Sequence, residues 1–344
     1  MKYVLSEFFR SDTSNGFNAT NKARNDAIRI ATSNGYQYVN LYDSGKSKAK
    51  TVPQLLFNTY KMVKKARETD TILMQYPYYP DVVNSFLFST LLSGKKRKKY
   101  KLYVLIHDIV FLRQVDLNQC NIKQMMNQEF RYLKDFDRII CHNSTMKQLF
   151  NQIDDKSAEV VELGPFFYLY DKERTACYSE DARIIIAGNL SKSKTGYIYG
   201  LSETGLKFNL FGVGFELNSS ENLTYYGKFP PDELINHLEG NYGLVWDGDS
   251  IDTCSGFNGN YLRFNNPHKF SLYIAAGIPL IVWKKSALAE FVETHEIGIS
   301  VGSLMEVKER IALISEKEYI RMIDNLKRIR KQILSGNNLA KWII

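Results

Sequence analysis

The 344-residue chain has only four cysteines, eight prolines and five histidines. Cys120, Cys141, Cys177 and Cys254 are far apart and form no C-x-x-C pair, so neither a zinc knuckle nor a disulfide framework is expected, and reduced thiols in the cytoplasm are the default. No apolar run approaches the ~20 residues needed to span a bilayer, and the amino terminus turns polar at Ser6, short of a secretory apolar core. No short tandem repeat and no nucleic-acid signature is present. What remains is a soluble cytoplasmic protein with no transmembrane segment.

Its composition is that of a globular protein, 44% hydrophobic and 24% charged, with 22 Tyr and 20 Phe. At ~150 residues per domain the length points to two domains. The net charge of +8 would reward nucleic acid, an anionic membrane or phosphorylated ligands. Much of it sits in Lys95, Lys96, Arg97, Lys98, Lys99 and Lys101, just before the apolar run Leu102–Ile106. A solvated loop entering a buried strand is the reading preferred there over a membrane or polymer patch.

Apolar runs alternate with amphipathic segments, the pattern of βαβ units around parallel sheets. Strands are expected near Tyr3–Leu5, Tyr38–Leu41, Thr71–Gln75, Leu102–Ile106 and Arg138–Cys141, with helices over Ala19–Asn34, Val52–Thr69 and Ile122–Phe136. The pattern restarts after Gly164-Pro165, with strands near Arg183–Ala187, Phe208–Phe211, Leu223–Tyr226, Gly243–Trp246 and Ile278–Val282. Two doubly wound, Rossmann-like α/β domains follow, residues 1–165 and 166–319, facing across a cleft. Gly164–Ser179 is the linker, and a terminal helix over about 320–344 packs back on the first domain.

Ligands of open α/β sheets bind beyond the carboxyl ends of the strands, so the loops there carry the candidates. Asn265–Trp283 reads as loop, helix and buried strand, with Lys269 in the first helical turn. Free N–H groups, the helix dipole and a lysine make that turn an anion site, with a diphosphate as the natural anion. Phe270, Ser271 and Leu272 would add backbone N–H groups. Gly188–Lys194, including Asn189, Lys192 and Lys194, either holds phosphate or is an ordinary turn. Asp247 and Asp249 imitate a D-x-D metal motif, but a loop role is preferred and no metal is expected. Thr253–Asn266 is either a flap over the donor or a surface excursion.

In the first half, His107-Asp108 ends a strand. A carboxylate there could take the proton from an acceptor hydroxyl, which makes Asp108 the candidate base, while a helix cap and a satisfied core histidine are the competing accounts. Tyr78 and Tyr79 could stack on an acceptor sugar or simply pack a loop. Gly16 and Asn18 precede a helix and could approach donor phosphates or serve as turn and cap.

Ile106–Val110, Gly188-Asn189, Pro231–Glu233, Gly243–Trp246, Pro267–Lys269 and Ala275–Pro279 together resemble a family across nearly the whole chain. It is the GT-B glycosyltransferases that add glucose to O-linked N-acetylglucosamine on serine-rich-repeat adhesins of streptococci and their relatives. The same signatures resemble bacterial β-1,6-galactofuranosyltransferases. The resemblance implies an inverting, metal-independent transfer without cofactor, from a UDP-sugar to a GlcNAc-modified serine-rich protein. It places the diphosphate at Lys269–Leu272 and further donor contacts near Lys192, where relatives can carry arginine, and near Phe229, where they can carry tyrosine. Lysine lacks the bidentate fork of arginine, and phenylalanine lacks the hydroxyl. Tetrameric relatives extend the expectation to a homo-oligomer. Galactofuranosyl transfer in polysaccharide assembly is the enzymatic alternative, and a non-catalytic GT-B partner or scaffold is the alternative of another class.

Overall fold

The computed structural model describes residues 1–8, 19–43, 48–78, 82–114, 121–171 and 176–344. Among these, the chain forms two sheets of six strands in which every pairing is parallel. The first contains β1 (Lys2–Phe8), β2 (Tyr36–Asp43), β3 (Thr71–Tyr76), β4 (Lys101–Ile106), β5 (Arg138–Cys141) and β6 (Glu159–Glu162), in the order β2-β1-β3-β4-β5-β6. Its helices are α1 (Ala19–Ser33), α2 (Lys48–Lys65), α3 (Val82–Lys98), α4 (Ile122–Glu129) and α5 (Ser144–Asn151).

The second sheet contains β7 (Arg183–Asn189), β8 (Lys207–Val213), β9 (Leu223–Gly227), β10 (Tyr242–Val245), β11 (Leu280–Trp283) and β12 (Gly298–Val301), in the order β12-β11-β10-β7-β8-β9. Around it lie α6 (Lys192–Thr195), α7 (Pro231–His237), α8 (Gly256–Tyr261), α9 (His268–Ala275), α10 (Ala289–Thr294), α11 (Val307–Ala312) and α12 (Glu316–Ser335). A last helix, α13 (Asn337–Ile343), completes the chain. Strand order reverses between β1 and β3 and between β7 and β10. These switch points open a crevice at the carboxyl end of each sheet.

Central strands are continuous apolar runs because helices cover both faces; every residue of β10 and β11 is buried. Gly243 in β10 has no room for a side chain, since a Cβ there would lie 2.3 Å from the Tyr273 ring. That ring's hydroxyl accepts from the Ala187 N–H at 2.9 Å and reaches the Ile185 carbonyl at 3.2 Å. Helix α9 is thereby pressed flat across β7 and β10, which fixes where its first turn points.

The structure corrects two local readings. Lys95–Lys98 form the last turn of α3 rather than a loop, where cations complement the helix dipole, and Lys99 at φ 59° ends it. The helix expected over Ile122–Phe136 stops at Glu129, and a 3-10 turn follows at Leu133–Asp135. In the segment read as linker, Phe166, Phe167 and Tyr168 are buried, and the Tyr168 N–H donates to the Ile333 carbonyl at 2.9 Å.

Helix α12 starts at a capping box between Ser315 and Glu318 and turns at Gly336, which adopts φ 72°. Helix α13 then crosses to the first sheet, where Leu339 and Ile343 are fully buried with Val4, Ala27, Leu105 and Ile140. Trp342 Nε1 donates to the Glu162 carbonyl at 3.0 Å, and Asn338 Nδ2 to that of Pro165 at 2.6 Å. Leu339→Ala should therefore destabilise the first domain by about 3 kcal/mol, the usual cost of a large-to-small core change. Thermal unfolding followed by circular dichroism measures this; an unchanged midpoint would mean that α13 adds nothing to that core.

Candidate active site

The strand-exit loops of the two sheets meet. Behind β5, Asn143 Nδ2 donates to the Phe264 carbonyl at 3.0 Å and to Asn266 Oδ1 at 2.7 Å. The Asn266 N–H donates to His142 Nδ1 at 3.1 Å, while His142 Nε2 donates to the Ile106 carbonyl at 2.9 Å. Burial pushes the His142 pKa down to about 3, which keeps the neutral tautomer that this pair of bonds requires. The loop before α9 is thus fastened to the first domain.

Asp108 follows β4. Its carboxylate accepts the Ile109 N–H at 3.1 Å, pairs with Arg113 Nη2 at 2.8 Å and accepts the Tyr261 hydroxyl. The same Tyr261 oxygen accepts the Ile109 N–H at 2.8 Å, and Arg113 lies 4.8 Å from the Tyr261 ring centre. Burial raises the Asp108 pKa; Arg113 and the Tyr261 hydroxyl oppose that without cancelling it. Tyr261 comes from α8 of the second domain and is buried in the core of the first. The stretch Thr253–Asn266 is therefore a clamp built around a helix, not a surface excursion.

Opposite Asp108 stands a second charge cluster. Lys269 Nζ pairs with Asp247 Oδ1 at 2.9 Å and donates to the Trp246 carbonyl at 2.7 Å, with both side chains nearly buried. The half-buried Lys194 feels Asp247 most, which raises its pKa, yet burial, Lys269 and Arg113 together leave it below the ordinary lysine value. Three cations from two domains, Arg113, Lys194 and Lys269, thus converge on two carboxylates. The surplus is positive, and Asp108, Asp247 and Lys269 are largely buried within it.

The remaining candidates divide. Lys192 is exposed, with its ammonium 4.9 Å from the Tyr199 ring centre, and Asn189 Oδ1 accepts the Ser191 N–H at 2.9 Å as turn chemistry predicts. Phe229 stacks on His237 with ring centres 3.9 Å apart. In α9 the Phe270 N–H already donates to the Pro267 carbonyl at 2.9 Å. The N–H groups of His268 and Lys269, in the first turn, have no earlier helical carbonyl to bond and are free donors there. Of the donor set expected from Phe270, Ser271 and Leu272, the Phe270 N–H is thus engaged within the chain. The Ser271 hydroxyl and His268 Nε2 are buried with no hydrogen-bond partner.

Tyr78 is also corrected. Its ring is fully buried and its hydroxyl donates to the Leu5 carbonyl at 2.8 Å, so it packs the loop and cannot face an acceptor sugar. His107 bonds through Nε2 to Gln75 Oε1 at 2.7 Å and stacks on Phe166, while burial, aided by Arg24, His142 and His268, drives its pKa well down. That is a neutral buttress of the strand end, the satisfied histidine of the competing account. Gly16, Asn18 and Tyr79 lie outside the described residues.

Asp249 is exposed, and no group of three or more His, Cys, Asp or Glu suited to a metal occurs among the described residues. A cavity of about 680 Å³ lined by Arg183, Asn209 and Tyr226 sits at the amino ends of the second sheet, away from these loops. Tyr261 and Arg113 had no role in the sequence reading. The signal for Tyr261 was an aromatic between glycines and asparagines, too weak alone.

Comparison with known proteins gives this constellation its setting. Two family models match: the Glucosyltransferase 3-like N-terminal domain over residues 2–161 and the Glucosyltransferase 3-like C-terminal domain over residues 184–344. The β-1,6-galactofuranosyltransferase WbbI of Escherichia coli is 31% identical over 345 residues, covering 97% of this chain and 95% of its own. Glucosyltransferase 3 of Streptococcus gordonii is 30% identical over 136 residues, 39% of this chain and 40% of its own. The fold is that of sucrose-phosphate synthase from Thermosynechococcus elongatus, with TM-score 0.62, 11% identity and coverage of 99% of this chain and 96% of that one. A lipopolysaccharide outer core galactosyltransferase, WaaB, gives TM-score 0.55 at 12% identity, covering 99% of each chain. With both domains matched and a relative aligned end to end, the chain belongs to the Glucosyltransferase 3-like family of GT-B glycosyltransferases and is a hexosyltransferase.

Proposed function

We propose that the protein transfers a hexosyl group from a UDP-sugar to a sugar hydroxyl with inversion, without a metal. The observation that carries this reading is the meeting of Asp108 from one domain with Lys194 and Lys269 from the other. A diphosphate would bring the negative charge that this cluster lacks, at a helix start whose His268 and Lys269 N–H groups are free for it. As the glycosidic bond to UDP breaks, the lysines stabilise the departing charge. On the other side of the cleft, Asp108 takes the proton of the attacking hydroxyl. Metal independence is supported by Asp247, whose carboxylate Lys269 already neutralises. A scaffold would have no use for cations gathered at such a point.

The sugar has two readings. Glucose is supported by the family of both domains, and the acceptor proposed with it is O-linked N-acetylglucosamine on a serine-rich adhesin in the cytoplasm. Galactofuranose, added to a cell-surface polysaccharide, is favoured by the relative that aligns end to end. UDP-glucose and UDP-galactofuranose are to be compared with a GlcNAc-modified serine-rich peptide and with an oligosaccharide acceptor, reading the mass added. One hexose from UDP-glucose on the peptide supports the first reading, and addition only from UDP-galactofuranose to the oligosaccharide supports the second. No transfer from any donor would overturn both. Size-exclusion chromatography with light scattering tests the homo-oligomer, expected as a tetramer.

Asp108→Asn should lower kcat by about 10²–10⁴-fold with UDP binding retained. Full turnover would remove Asp108 as base. Because its pKa is raised, and only the ionised carboxylate accepts a proton, kcat/KM should rise with pH through a limb above the ordinary carboxylate range. Tyr261→Phe removes a bond that favours the ionised form and should move that limb to higher pH. A limb that stays in place would show that Tyr261 does not govern the base. Lys269→Ala alone would strand the buried Asp247 charge, so the phosphate role is best tested in Lys269→Met/Asp247→Asn. Calorimetry should show UDP binding weakened about 10²-fold; unchanged binding would place the diphosphate elsewhere.

A further inference from the structure

We infer that the outer face of α2 and α3 is a docking surface for an anionic lipid membrane. The stretch 48–101 carries twelve Lys and Arg against three Asp and Glu, a surplus of nine where the whole chain's is eight. Nearly all of the protein's excess charge therefore belongs to two neighbouring helices and their flanks.

On α2, Phe57 (65% exposed), Tyr60 (64%), Lys61 and Lys64 stand at helical spacing on one face, while Leu55, Met62 and Val63 are buried on the other. On α3, Phe86 (43%), Lys96 and Arg97 are exposed, and Leu87, Leu91 and Leu92 are buried. Lys98 Nζ donates to the Lys64 carbonyl at 2.6 Å and to the Ala66 carbonyl at 3.0 Å, so the basic ends of the two helices lie together. Helices that return between parallel strands start at the carboxyl edge of the sheet. Phe86, near the start of α3, thus lies toward the cleft rim, while Phe57 and Tyr60, past the middle of α2, lie nearer the basic ends.

Exposed aromatics scattered singly need no explanation, but three of them on two packed helices beside a basic cluster do. An anionic bilayer surface matches both features. Its headgroups attract Lys and Arg, and the headgroup boundary accepts Phe and Tyr side chains. A second copy of the chain fits worse, because a two-fold contact would set this basic face against itself. A nucleic acid would satisfy the charge but leave Phe57 and Phe86 without purpose. The inference is independent of which sugar or acceptor the enzyme uses.

The test is co-sedimentation of the full chain with phosphatidylcholine vesicles, with and without phosphatidylglycerol, at low and high salt. Binding should require phosphatidylglycerol and weaken with salt. Lys61→Ser/Lys64→Ser/Lys96→Ser/Arg97→Ser should lose about tenfold or more in apparent affinity. Lys308→Ser/Lys317→Ser/Arg328→Ser/Lys331→Ser has the same net charge and should bind like the parent. Phe57→Ser/Tyr60→Ser should also bind more weakly, with UDP binding unchanged in all three. The proposal is overturned if the parent ignores the vesicles, or if both charge variants lose binding equally. It is also overturned if the aromatic variant keeps its vesicle affinity but dissociates an oligomer in sedimentation, or if the face prefers single-stranded RNA to vesicles.

Discussion

One phenol joins the halves of this protein where its chemistry is placed. Tyr261 is carried by the second domain, yet its ring is buried in the first, and a hydroxyl taken out of water must find partners there. It finds two at once, accepting the Ile109 N–H and donating to the Asp108 carboxylate. Asp108 is thus held from the second domain by a residue 153 positions away, beside Arg113 and the Ile109 N–H of its own domain. For the proposed base, contact between the domains therefore completes its hydrogen bonding.

The charges around that contact are unequal by design of the fold. Arg113 brings a cation from the first domain, while Lys194 and Lys269 bring two from the second, against Asp108 and Asp247. Despite the pull of Asp247, burial, and after it repulsion from Lys269 and Arg113, holds Lys194 below its ordinary pKa. An entering anion relieves this repulsion. In the proposed reaction, the same cations that would bind the diphosphate are already oriented for its departure.

The sheets were legible because covered strands leave unbroken apolar runs, as in Ile184–Ala187, Leu102–Ile106 and Leu280–Val282. Lys269 was legible for a related reason: the loop, helix start and buried strand around it are contiguous in sequence. Helix α8 was not. Its residues, GFNGNY, have the composition of a loop, and the reason for the second glycine is tertiary: a Cβ on Gly259 would lie 2.7 Å from the Asp247 carbonyl oxygen. Tyr78 misled for the opposite reason. A strand-exit tyrosine looks available until the fold shows its hydroxyl turned inward to Leu5. Helix α3 was hidden by its basic end, which reads as solvated loop but caps a helix dipole.

The chain crosses between domains twice, once through the buried Phe166–Tyr168 segment and once at Gly336 on the way to α13. These crossings carry apolar burial, together with the Lys22 ammonium held by Asp26 and Asp232 at 2.7 and 2.8 Å. At the cleft the domains touch through hydrogen bonds of Asn143, His142 and Tyr261, and there too apolar surface is covered, the Tyr261 ring and Phe264 lying against the first core. Water can replace a hydrogen bond at small net cost, but it cannot replace the contacts of Leu339 or Ile343 without paying for exposed apolar surface. The crossings at Phe166–Tyr168 and α13, with their apolar burial, are therefore the firm part of the join between the domains.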